Sequence, residues 1–324
     1  MGEQRTFASV AWAQKGKVTR REQFLAEMDA VIPWATLQAL VEPHYPKVDG
    51  RGRKPLGLEK MLRIYFLQQW FNLSDPQAED MVYDSEAMRR FARIELGEDD
   101  VPDESTILRF RHLLEEHRLT AAMFEAINGL LTEKRLLLRA GTIVDATIIA
   151  APSSTKNAAK TRDPEMKQTR KGKTWYFGMK LHIGTDRQGR VHHVVATPAS
   201  GADITQMPTL LHGDETVVYG DQAYWKEADR RAYEARGVRY RVNRRARSRH
   251  HPLSERWRKI NRARSRTRAR CEHPFYVVKQ LWGFAKVRYR GLAKNLARAY
   301  AMFGLANLYA VRRQLLPSGA ACRR

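Results

Sequence analysis

The chain has 324 residues, 43% of them hydrophobic and seven of them Trp, with 58 Lys+Arg against 35 Asp+Glu and a formal net charge of +23. That apolar content excludes a disordered basic tail, and the length holds two domains or one large one with insertions. Two cysteines, Cys271 and Cys322, exclude a disulfide framework; they form no CxxC pair, and His192–His193 and His250–His251 lack partners at zinc-ligand spacing, so the chain reads as cytoplasmic without structural zinc.

The first residues, MGEQRTFASVAWAQKGKV, carry no apolar core of signal-peptide length. Residues 20–43 show helical spacing, with Phe24, Met28, Ile32 and Leu37 among the apolar positions. Gly50–Pro55 (GRGRKP) is either a flexible basic linker or an arm of the kind that enters a minor groove. Leu58–Phe71 is apolar nearly all round, which predicts the centre of a helical bundle. Ser74 or Asp75 before Pro76 marks another helix start. Two more helices are predicted over Glu104–Glu116 and Thr120–Leu137. The first of these carries Arg109 and Arg111, and it suits a bundle core as well as a helix-turn-helix.

The pattern changes at Gly141. Thr142–Ala150 (TIVDATIIA) is short and β-branched, a strand signal. Lys156–Lys173 reads as a polar basic loop, and Lys173–Ile183 with Val191–Thr197 reads as a hairpin around Asp186–Gly189. A short helix over Ile204–Leu211, a strand at Glu215–Tyr219, a helix over Ala223–Ala235 and a strand at Gly237–Val242 follow. Ala299–Val311 is too short to span a bilayer and reads as a buried terminal helix; no membrane partner is expected. The predicted class is α/β: an all-α region over 1–138, then a mixed β-sheet flanked by helices over 139–324, with a basic insertion around 236–270.

Charge follows the same division. Residues 1–135 carry 19 Lys+Arg against 22 Asp+Glu, and the remainder carries 39 against 13. Arg236–Arg270 alone holds fifteen Arg or Lys and one acid, Glu255. A single-sign excess of this kind concentrates phosphate and releases counterions when nucleic acid binds. Trp257, Ile260 and Leu253 give the run something to dock with. Arg244, Arg245, Arg268, Arg270, Lys180 and Lys279 are the candidate DNA contacts, and His273 adjoins the same region.

Three acids stand where acids are expensive. Asp145 interrupts a β-branched run, Asp221 follows ETVVYG at a strand end, and Glu272 is one of two acids after residue 234. Singly, each has a plain reading: a turn residue, a cap for the helix over Ala223–Ala235, and an ion-pair partner for local arginines. Together they suit phosphodiester chemistry, in which two hard divalent ions on carboxylates serve an in-line attack.

GTIVDAT, VVYGDQAYW and Arg268-x-x-x-Glu272-x-x-x-x-x-x-Lys279, followed by WGFAKVRYRGLAKN, resemble the DDE-type transposases of bacterial insertion sequences, above all the group typified by insertion sequence five. The likeness extends to Pro55–Ser74 and Asp103–Leu114 (DESTILRFRHLL). It implies a ribonuclease H-like fold with Asp145, Asp221 and Glu272 as catalytic, metal-binding triad, and Mg²⁺ or Mn²⁺, two ions, as cofactor. It also implies double-stranded DNA (element ends and target) as partner, and a homo-oligomer in a synaptic complex. Arg268 and Lys279 would flank Glu272. A seven-residue spacing puts Lys279 on the same helical face as Glu272, and Pro274 makes Arg268 the less secure neighbour. Where the family has Tyr three residues before the Arg, this chain has Ser265.

Overall fold

A computed structural model of the chain describes residues 14–47, 55–156, 160–246, 248 and 250–316. Residues 50–54 of the basic stretch Gly50–Pro55 lie outside the described residues, as does Cys322.

Helix α1 (Arg20–Val31) opens on a capping box, in which the Thr19 hydroxyl accepts from the Glu22 amide and the Glu22 carboxylate accepts from the Thr19 amide. Helix α2 (Trp34–Val41) follows after Pro33, so the stretch expected to be helical over 20–43 is two helices: proline has no amide to donate. Helix α3 (Leu58–Phe71) buries every residue from Met61 to Trp70, as its all-round apolar pattern requires. Helices α4 (Asp75–Asp84), α5 (Glu86–Ala92), α6 (Glu104–Glu116) and α7 (Leu119–Glu133) complete the N-terminal region. Ser74 caps α4 through Gln77, with Pro76 in the first turn. Helix α7 stops short of the expected Leu137 because Arg135 adopts a left-handed backbone at φ 57°. Phe110 and Leu114 of α6 face the core, and Arg111 is buried in ion pairs with Asp75 and Glu115.

Six strands follow: β1 (Thr142–Ala150), β2 (Lys167–Lys171), β3 (Thr174–Thr185), β4 (Val191–Pro198), β5 (Val217–Gly220) and β6 (Arg239–Val242). They form one mixed sheet in the order β2-β3-β1-β5-β6, with β4 also on β3. The pairs among β1 to β4 are antiparallel, and those of β5 with β1 and β6 are parallel. This is the expected ribonuclease H-like arrangement of a mixed sheet flanked by helices. Strand β2 lies inside the stretch read as a basic loop: it is polar on both faces, and only its pairing with the projecting end of β3 reveals it.

Between strands, α8 (Asp203–Gln206) and α9 (Glu227–Ala235) are short. The helix expected over Ala223–Ala235 is broken at Trp225. The Tyr240 hydroxyl donates to the Tyr224 carbonyl at 2.7 Å, which takes that carbonyl out of any helical ladder. The basic run yields β6 and α10 (Glu255–Arg268). Helix α11 (Glu272–Tyr276) passes into a π-turn over Val277–Leu281, and α12 (Leu292–Leu315) closes the chain.

One hydrophobic core runs from the helical region through α12 onto one face of the sheet, joining Phe66, Phe124 and Phe303 to Met179, Leu181 and Ile183. A smaller cluster under the other face holds Val144, Val218, Tyr224 and Tyr240. Asn307 ties the layers together: it accepts from the Val191 amide and donates to the Val191 carbonyl and to Asn128. Among the described residues no single helix is long and apolar enough to cross a membrane.

Candidate active site

Strand β1 is held fully on one side and barely on the other. Along β3 it pairs from Ile143 to Ala150, but with β5 it pairs at Thr142↔Val218 and Ile143↔Tyr219 before β5 ends at Gly220. Backbone groups of alternate residues point to alternate edges. Ala146, Ile148 and Ala150 therefore face the edge that β5 has vacated, where unpaired groups need partners.

Side chains and an irregular segment supply them. The Ala146 amide donates to Asp145 Oδ1 at 2.9 Å, and Lys279 Nζ donates to the Ile148 carbonyl at 2.9 Å and to Thr147 Oγ1 at 3.0 Å. Ala150 exchanges backbone hydrogen bonds with Ala285 and Val287. The candidate site thus occupies a gap in a sheet, and its side chains complete the ladder.

Asp145 sits in this gap with its side chain 15% exposed. Its Oδ2 accepts from Arg268 Nη1 at 2.9 Å and from the Cys271 thiol at 3.2 Å. Burial holds the Asp145 carboxyl above its ordinary value; Arg268, Cys271 and the Ala146 amide oppose that rise, and the Asp221 charge adds to it. Burial also pushes the Cys271 thiol up, with Asp145 adding to the effect, so the thiol stays protonated and donates.

Arg268 Nη2 also reaches Glu272 Oε1 at 3.3 Å. One guanidinium therefore bridges two of the three singled-out acids, which lie 127 positions apart in sequence. Burial opposes the Arg268 charge, but Asp145 foremost, then Cys271, Glu272 and Asp221, outweigh it and raise its pKa. The Arg268 Nε is buried without a hydrogen-bond partner among the described residues.

Asp221 begins just past β5. Its Oδ1 accepts from the Ala223 amide at 2.8 Å, capping the turn Gln222–Tyr224. The capping reading is thus present alongside a carboxylate whose field reaches Asp145, Arg268 and Tyr224. Glu272 opens α11 with its side chain 60% exposed, and His273 beside it is exposed too.

The expected ranking of Glu272's neighbours is reversed. Arg268 contacts Glu272, whereas Lys279 lies under β1, because the wider π-turn takes it out of α-helical phase. Burial first, then the Lys171 charge, holds the Lys279 pKa below its ordinary value.

The other cations divide. Lys180 is engaged with the Gly201 carbonyl and Asp203, at 2.8 and 2.9 Å. Arg270 Nη1 donates to the Arg187 carbonyl at 2.7 Å, and Gly189, at φ 85°, lies so close that a Cβ there would meet the Arg270 carbonyl oxygen at 2.6 Å. The β3–β4 turn thereby clamps the segment leading to Cys271 and Glu272.

Arg244 stacks on Trp257 at 4.7 Å, and its backbone is held from both sides by Asn261. Ser265, at the position where Tyr was expected, accepts from Asn243 Nδ2 at 2.9 Å. Exposed Arg245 lines, with Gln222, Leu253 and Arg258, an open depression of about 720 Å³ beside Asp221.

Among the described residues, no three His, Cys, Asp or Glu side chains are grouped so as to hold a metal ion. The cation between Asp145 and Glu272 is Arg268. The donor chemistry is nevertheless that of a hard divalent ion, because all three acids are carboxylates at one end of the sheet. Sequence reading missed Cys271 and the turn Arg187–Gly189, both of which act on this site from distant segments; adjacency of Cys271 to Glu272 was the one available signal.

Residues 137–308 match the family described as "Transposase DDE domain". Residues 13–113 match the family described as "Transposase domain (DUF772)". No solved structure matches the chain.

Proposed function

We propose, from the premise that this chain belongs to the transposase DDE family, that it cleaves DNA at the ends of an insertion sequence and joins the freed 3′-hydroxyl to target DNA. The family acts on DNA and generally uses divalent metal ions. In this reading Asp145, Asp221 and Glu272 are the acids that hold Mg²⁺ or Mn²⁺. When bound, a pair of such ions supplies an activated nucleophile and stabilises the leaving oxygen of an in-line displacement.

The observation that carries the reading is the Arg268 bridge. Asp145 and Glu272, from separate segments, share the Arg268 guanidinium at a gap in the sheet, and Asp221 stands at the end of the neighbouring strand. Paired carboxylates in a half-buried cleft repel one another unless a cation lies between them. Arg268 meets that need in the resting protein and is positioned to neutralise phosphate when the acids are otherwise paired. Lys279 holds β1 straight beneath Asp145. Gln222, next in sequence to Asp221, and Arg245 line an open depression that offers a nucleic-acid backbone a path toward the acids.

Residues 1–138 serve, in this reading, as the end-binding and assembly region, and 139–324 as the catalytic one, with the basic insertion around 236–270 on phosphate. Two ends must be handled together, so the working form is a homo-oligomer in a synaptic complex. The likeness to the group typified by insertion sequence five belongs to the same proposal. Mg²⁺-dependent cleavage and joining of DNA carrying the terminal repeats, with wild type beside Asp145→Asn, is the test. Joined products from wild type alone support the reading. Cleavage without joining makes the protein a nuclease, and binding without cleavage by both makes it a non-catalytic DNA-binding derivative.

A further inference from the structure

The hairpin of β2 and β3 reaches past the end of β1, away from the candidate active site. From Lys167 to Phe177 it holds four cations, Lys167, Arg170, Lys171 and Lys173, and no acid. Gly172, at φ 63°, turns the chain tightly at its tip. Next to the tip stands Trp175, 65% exposed, the most exposed large aromatic among the described residues. Its cross-strand partner is Arg170, whose guanidinium lies 5.9 Å from the indole.

Strand register relates this hairpin to the candidate site. Asp145 pairs with Ile183, and side chains two residues apart share a face. Trp175 therefore lies on the same face of β3 as Ile183, eight residues along the strand. At about 3.3 Å per residue that is roughly 26 Å from the acid's level in the sheet. The Lys171 charge adds to the burial that lowers the pKa of Lys279, the lysine bonded to Asp145's own strand, so the hairpin and that strand share one electrostatic neighbourhood. An indole flanked by Arg170 across the hairpin and Lys173 along it, with Lys167 and Lys171 on the opposite face, suits one chemistry: a base to stack on, with phosphates on either side. An apolar protein partner would not suit a hairpin that carries cations on both faces, none of them in an ion pair among the described residues.

We propose that the Trp175 hairpin is a second DNA-contact element that stacks an unpaired base of single-stranded or locally opened DNA. Resting on the transposase reading, it holds the strand about eight stacked nucleotides from the reacting phosphate, at roughly 3.4 Å each. Intact duplex hides its base faces, so the element distinguishes opened from paired DNA. Lys167, Arg170, Lys171 and Lys173 hold the phosphates and carry the salt dependence, and Trp175 carries the preference for exposed bases.

The test uses the full chain and two fluorescein-labelled probes, an oligothymidine of about 20 nucleotides and a random-sequence duplex of about 20 base pairs, read by anisotropy across a salt series. Trp175→Ala should weaken oligothymidine binding roughly tenfold and duplex binding less than about twofold, with the salt slope unchanged. Trp175→Phe should restore most of the loss, and neither change should shift the melting temperature of so exposed a residue. Lys171→Ala with Lys173→Ala should instead lower the salt slope on both probes. Equal affinity of Trp175→Ala and wild type for oligothymidine overturns the proposal, as does an equal loss on both probes. So does a loss that follows dissociation of an oligomer in sedimentation, which would make the hairpin a protein interface. Wild type binding to neither probe removes the transposase reading itself, whereas the other negative outcomes leave that reading standing.

Discussion

In the helical region Arg63 and Arg111 are buried against carboxylates, whereas in the later basic stretch Arg244 and Arg264 face an indole ring and a backbone carbonyl. Arg63 is fully buried, ion-paired with Asp29 at 2.7 Å and Glu59 at 2.8 Å, and its guanidinium also caps the Phe91 carbonyl and lies 4.1 Å from the Trp34 ring. Arg111 is treated alike, between Asp75 and Glu115. In the later stretch Arg244 and Arg264 share the Trp257 ring, and Arg264 donates to the Val242 carbonyl. Those contacts orient a guanidinium without cancelling its charge. The same residue type is thus a folding element in one region and a stored positive potential in the other, with Arg268 between the two uses.

The comparison breaks most visibly at the carboxylates. On the proposed reading, Asp145→Asn should lower metal-dependent cleavage by on the order of 10³-fold or more while leaving DNA affinity within about twofold. Retained cleavage would remove Asp145 from the site.

Arg63→Ala should destabilise the fold by about 3 kcal/mol, the low end for a broken buried pair because Asp29 and Glu59 keep some exposure. It should leave the salt slope of DNA binding unchanged. A melt shifted by under about 1 kcal/mol, or a changed slope, would erase the contrast between the regions.

Acid sharpens it in another way. His182 is fully buried against Thr197, and burial pulls its pKa from 6.5 down to about 4. The unfolded chain therefore binds the extra proton between those values, so stability is intact above pH 6.5 and falls as pH drops toward 4. The loss amounts to roughly 2–3 kcal/mol from this group. Melts from pH 7 to 4.5 should show the decline, and His182→Gln should flatten part of it. An unchanged profile would mean that His182 is not the group responsible.

Two smaller effects complete the series. Gly189→Ala should push the Arg270 backbone away, reduce cleavage roughly tenfold and cost about 1 kcal/mol or more of stability, because the left-handed turn that positions Glu272 is strained by a Cβ. Activity equal to wild type would show that the segment absorbs the shift. Arg245→Ala should lower the logarithmic salt slope of duplex binding by about one unit and leave stability alone. An unaltered slope would take Arg245 off the DNA path.

Much of the fold was legible where one local signal sufficed. Leu58–Phe71, Glu104–Glu116 and Thr142–Ala150 all fall at their expected bounds, because capping residues and apolar patterning mark them without outside help. Strand β2 was not legible, since KQTRK has no buried face to alternate with and exists through its partner. The break at Trp225 depends on Tyr240, sixteen positions away from Tyr224. In the site, the three acids stood out because each is isolated in its own context. Their partners did not: Arg268 and Cys271 reach Asp145 across 123 and 126 positions, and the π-turn that moves Lys279 follows from packing under β1 rather than from the spacing of Glu272 and Lys279.

The gap in the sheet has a consequence for how such a protein can diversify. The two sheet halves share the pairs at Thr142 and Ile143, so each keeps its own register. The chain that leaves β6 at Val242 and returns at Arg268, whose contacts with Asp145 and Glu272 are kept, can therefore lengthen, shorten or be exchanged without shifting either half. Asp145 and Asp221 stay anchored to their strands through such changes. A scaffold of this kind lets one cassette vary while the two strands and the acids they carry are inherited intact.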